Sequence, residues 1–200
     1  MKGLKLMTLL KLITGALILI LIGCNDTNKV ESDSKYKPEP SLPFGINWNT
    51  RFATISSKLT NINLERYDDQ SKMSFYSFSN NDDFLAGMDS YNLIVEEDGL
   101  ISALNFAQFF NKNEQRAMLN RYEEIKNELN EKYNITDKKE RLKNNKTVFK
   151  CLSNETCGMM YSVFNSENTT VLIRAYGLED EKGMLQVIVF PRDGHFNITS

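Results

Sequence analysis

The chain has 200 residues, 41% hydrophobic and 25% charged, which is ordinary for a globular protein and long enough for one domain with its own core. Three lysines, Lys2, Lys5 and Lys11, lie in the first 23 residues; beyond them 21 basic face 26 acidic side chains, a net of −5. That balance argues against a basic face for phosphates, so no nucleic-acid partner is expected, and anionic headgroups should attract this surface little.

Residues 1–23 read as a signal peptide. Met1 to Lys5 is a basic start, and Leu12 to Ile22 is apolar apart from Thr14 and Gly15. A transmembrane anchor would need roughly 20 apolar residues, and extending the run backwards puts Lys11 inside it. Leu21-Ile22-Gly23-Cys24 closes the segment. This tetrapeptide resembles the lipobox of bacterial lipoproteins. The resemblance implies cleavage between Gly23 and Cys24 and a diacylglycerol thioether on the Cys24 sulfur. That covalent lipid is the one non-protein group expected. Two or three acyl chains give stable anchoring where one does not. The implied location is the cell envelope, lipid-anchored. Asn25 rather than Asp after the cysteine favours the outer over the inner membrane of a Gram-negative host.

From Cys24 to Pro43 the chain is polar and holds Pro38, Pro40 and Pro43. Such a segment buries too little to order itself, so a flexible tether over 24–43 is expected. One globular domain should follow over 44–191, with a tail at 192–200.

In the domain, Phe44, Ile46 and Trp48 alternate and suggest an opening strand or an entry segment. Phe52, Ile55 and Leu59 have helical spacing and predict a short helix over about 50–59. Short strands are expected near 62–66, 73–78, 91–95 and 100–110. Asp98-Gly99 supplies a hairpin turn, because both residues tolerate positive φ. Met118, Tyr122, Ile125, Leu129 and Tyr133 form one apolar stripe and predict a long amphipathic helix over about 112–133. Asn111 and Glu114 have the spacing of a capping box at its start. The basic stretch 134–147 reads as a solvated loop. Strands are expected at 148–152, 159–163, 171–175 and 185–189, the last ended by Pro191. The fold class is α+β: an antiparallel sheet packed by the two helices, with a hint of two helix-plus-meander halves.

Cys151 and Cys157 remain as an even pair. In an oxidising compartment they are expected to form a disulfide. No metal site is expected, since His195 is the only histidine and stands in the tail. Candidate acid–base carboxylates, Asp82-Asp83 and Glu179-Asp180-Glu181, sit in polar loops, where a solvated surface is the simpler reading. Trp48, Tyr76, Tyr91 and Phe109 are either core or the lining of a binding face. No catalytic residue is therefore assigned. The functional expectation is a non-enzymatic domain that binds a protein or another envelope component. The alternatives are a small-ligand-binding lipoprotein and a hydrolase using loop carboxylates.

Overall fold

Eight antiparallel strands in one sheet dominate the computed structural model, which describes residues 37–79, 85–144 and 147–193. The strands are β1 (Thr60–Asp68), β2 (Met73–Ser79), β3 (Ser90–Glu96), β4 (Ile101–Phe110), β5 (Asn134–Leu142), β6 (Gly158–Asn165), β7 (Thr169–Gly177) and β8 (Gly183–Pro191). Their order across the sheet is β1-β2-β3-β4-β8-β7-β6-β5. Two four-stranded meanders thus meet where β4 pairs with β8, Leu104 opposite Val189 and Phe110 opposite Gly183. The helices are fewer and shorter than the strands: α1 (Phe52–Ile55, continued by a 3-10 turn at Ser56–Lys58), α2 (Gln115–Lys132) and α3 (Val148–Leu152). The α+β expectation therefore holds only in part, because the sheet outweighs the helices.

Helix α2 carries the predicted stripe. Met118, Tyr122, Ile125 and Leu129 are buried on the sheet, and Tyr133 is buried at its C-cap. At its start the Asn111 backbone N–H donates to Glu114 Oε2 at 2.6 Å. The other half of this face is covered by residues 42–59, which bury Leu42, Ile46, Ile55 and Leu59 with Phe44, Trp48 and Phe52 packed beside them. Phe52 stacks on Tyr76 at 4.2 Å between ring centres.

Three expectations fail, each for a physical reason. Residues 37–43, read as tether, are held in the fold. The Lys37 ammonium donates to the carbonyls of Asn130, Glu131 and Tyr133, where the end of α2 leaves acceptors unsatisfied and partially negative. Glu39 accepts from the Ser166 hydroxyl at 2.7 Å, the Asn168 N–H at 2.8 Å and the Thr169 hydroxyl. Residues 44–48 take the second of their two readings, an entry segment, with a 3-10 turn at Pro43–Gly45 and Phe44 at φ 62°. The stretch 134–147, read as a loop, contains the edge strand β5. Residues 148–152, read as a strand, form the helix α3 with Val148, Phe149, Cys151 and Leu152 buried.

Helix α3 closes one end of the second meander. The ring of Phe149, 1% exposed, fills the space above Gly183, and the α3 backbone lies over its pairing partner Gly177. A Cβ on Gly177 would lie 1.8 Å from the Phe149 carbonyl oxygen and 2.6 Å from the Ser153 nitrogen. Both outer strands are irregular and polar. The β1 pairing shifts register twice, and β5 shifts between Ile135 and Asp137 and then runs Asp137-Lys138-Lys139-Glu140-Arg141.

Candidate functional site

Side chains alternate across a strand, so the sheet has a second face. Helix α2 and the 42–59 segment cover the first. On the other, Ile94, Ala103, Leu172 and Ile188 are buried, with Met73, Phe75, Tyr161, Val163 and Phe190 packed against them. Every residue of this cluster belongs to a strand; no described helix lies over it.

The strand register arranges these residues as a diagonal band. Phe75, Ile94 and Ala103 are cross-strand neighbours on β2, β3 and β4. One residue pair further along, Asn105, Ile188, Leu172 and Val163 lie side by side from β4 to β6. The next row is polar except for Ala107: Ser90, Ala107, Gln186, Arg174, Tyr161 and Lys139. Within the face, Gln186 donates to Asn105 at 2.8 Å. At the β5–β7 side the face carries Lys139, Arg141 and Arg174; near β1–β3 it carries Asp68 and Glu96 beside Met73. Arg66 lies over the Phe75 ring at 4.2 Å and Arg174 over Tyr176 at 4.3 Å. Phe109, 52% exposed, stands on the same face.

The four aromatic candidates therefore do not form one surface. Tyr76 and Tyr91 pack into the helix-covered core and Phe109 points from the open face. Trp48 packs at the core edge, its indole N–H donating to Thr169 Oγ1 at 2.8 Å. The binding-face residues that sequence reasoning missed, Phe75, Tyr161, Arg174 and Phe190, each lie one step along the strand from a core residue. Alternation would have flagged them once the core side was known.

Cys151 and Cys157 form a disulfide, with 5.0 Å between Cα atoms, tying the end of α3 to the start of β6. Gly23, Cys24 and the tether before Lys37 lie outside the described residues, as do Asp82, Asp83 and His195. No described helix is long and apolar enough to cross a membrane, and no described cluster of His, Cys, Asp and Glu could hold a metal ion.

Among the carboxylates, Glu181 is exposed, and a hydrogen bond and charge from Lys112 hold its pKa below the usual range. Glu140 belongs to a network beneath α2. Tyr122 and Ser162 hydroxyls lie 2.8 Å apart, both fully buried, and Lys126 donates to Glu140 at 2.8 Å. Burial pushes the Glu140 carboxyl up, but the Lys126 hydrogen bond and charge, with the Ser162 hydroxyl, outweigh it and lower the pKa. Burial also raises the Tyr122 phenol far above its ordinary value. A general acid needs the reverse, a carboxyl raised toward neutrality. With Ser162 sealed under the helix, this network pins α2 to β5 and β6.

No family model, curated protein or solved structure matches this chain.

Proposed function

We propose that this chain is a lipid-anchored envelope protein whose domain binds another protein through the open sheet face, without chemistry of its own. The observation that carries the reading is the diagonal band of strand side chains, edged by Phe75, Tyr161, Phe190 and Arg174. Aromatic residues and arginine dominate the energetically important centres of protein interfaces, and this band combines them with a buried aliphatic floor. Its acidic side at Asp68 and Glu96 and basic side at Lys139 and Arg141 would fix the partner's register more than its affinity. Anchoring rests on the lipobox-like Leu21-Ile22-Gly23-Cys24 and places the domain in the envelope, at the outer membrane if the host is Gram-negative.

The test is site-specific photo-crosslinking in living cells. A benzophenone amino acid replaces Tyr161 or Phe75 on the open face, or Asn127 on the outer side of α2. The expected outcome is one discrete adduct from both open-face positions and none from position 127. Equal adducts from all three, or none from either face position, would remove the open face as the binding surface.

A further inference from the structure

The ordered strap at 37–43 has a second effect. Together with the 46–49 turn and the end of β8 it walls a cleft of about 790 Å³ at the edge of the helix-covered side. This volume falls within the range of ligand clefts, about 300–1,000 Å³. Its apolar wall is Trp48 with Pro191, and its polar lining includes Asn47, Asn49, Asn168 and Asp193. Three properties select the ligand chemistry. First, the indole is held in place: its N–H donates to buried Thr169, which in turn donates to Glu39. A fixed aromatic wall suits a flat, weakly apolar surface such as the C–H face of a pyranose ring. Second, Asn49 and Asn168 are exposed planar amides, each offering donors and acceptors together, as hydroxyl groups require. Third, the lining carries two carboxylates, Glu39 and Asp193, and no lysine or arginine among the described residues. An anionic ligand would be repelled, and an acyl chain would make no use of the polar side chains that line most of the cleft.

We infer that this cleft binds a neutral oligosaccharide, with Trp48 as the stacking platform and Asn49 and Asn168 as the hydroxyl-binding groups. The site is independent of the open face and can stand if that reading falls. Such a ligand could be a segment of a glycan strand or a free sugar; both present the same C–H faces and hydroxyls, and chain length separates them.

Trp48 is the only tryptophan of the protein, so fluorescence excited at the red edge of the absorption, where tyrosine does not absorb, reports on this cleft alone. The full lipidated chain, in a sugar-free detergent, is titrated with β-1,4-linked N-acetylglucosamine tetramer, the corresponding monomer, maltotetraose, tetragalacturonate and trilysine. A saturable change in Trp48 emission with either neutral tetramer below about 10 mM supports the assignment. Tetramer binding at least tenfold tighter than the monomer indicates a glycan strand, and equal affinity a free sugar. Asn49→Ala and Asn168→Ala, with circular dichroism unchanged, should each weaken the tetramer about tenfold, the loss of one hydrogen bond. No response to either neutral tetramer, tighter binding of tetragalacturonate or trilysine, or alanine variants that bind like the parent would overturn it.

Discussion

Gly177→Ala tests the packing of the second meander most directly. The new methyl carbon would sit 1.8 Å from the Phe149 carbonyl oxygen and 2.8 Å from its carbon, and both atoms are backbone. They cannot rotate away as a side chain would, and Cys151–Cys157 ties the same helix to β6. Relief requires α3 to lift from β7, which uncovers Phe149 and Leu152. Overpacking typically costs 1–3 kcal/mol, and a clash with backbone in a buried site belongs at or above the top of that range, about 3–5 kcal/mol. For a domain of this size each kcal/mol lowers Tm by roughly 2–4 °C, so the expected drop is on the order of 10 °C. Gly45→Ala is the control. Gly45 has φ +65° but nothing within 4 Å of a new Cβ, so only the left-handed backbone is penalised, by about 1–2 kcal/mol. The assay is thermal unfolding by circular dichroism, with urea midpoints as a check on reversibility. A Gly177→Ala protein that melts no lower than Gly45→Ala would refute the account of how α3 seats on the sheet.

Other outcomes follow from the same structure. The lowered Glu140 pKa stabilises the fold above the ordinary carboxylate range and is lost as pH falls through the folded value; Glu140→Gln should therefore cost about 1–2 kcal/mol at pH 7 and progressively less in acid, read by urea midpoints across pH. Equal loss at every pH would show that Glu140 acts by shape alone. Replacing Cys151 and Cys157 by alanine together should cost about 2.5 kcal/mol, and intact mass should rise by two daltons when the parent is reduced. An unchanged mass on reduction would show that the thiols are unpaired in the purified protein. Cys24→Ser should leave an uncut, unlipidated precursor by mass spectrometry; normal maturation would end the lipobox reading.

Much of this architecture was legible because local pattern and tertiary environment agree. The α2 stripe works this way: Met118, Tyr122, Ile125 and Leu129 share one helical face, and the sheet buries all four. Asp98-Gly99 makes its turn, with Gly99 at φ +85° and the Leu100 N–H donating to the Asp98 carboxylate. The misses are places where distant partners override local signal. β5 reads as loop because its side chains are mostly charged, which suits an outer strand that packs on one side only. Val148–Leu152 is too short to show a helical period, and its apolar residues imitate a strand. The strap at 37–43 is ordered by Lys37 and Glu39 bonding to residues some 90 to 130 positions away, which no window of sequence reveals. The candidate sites were hidden for the same reason. The open face needs the register of β2 to β8, and the Trp48 cleft needs the strap.

The irregular outer strands have a consequence for life in a crowded compartment. A sheet this wide would otherwise offer two ribbons of backbone groups on which a stray extended chain could grow. Two register shifts in β1 and one in β5, with five consecutive charged residues after it, break each ribbon into stretches too short and too polar to template another strand. Among the described residues one face of the sheet has no helix over it, and the borders of that face resist strand addition.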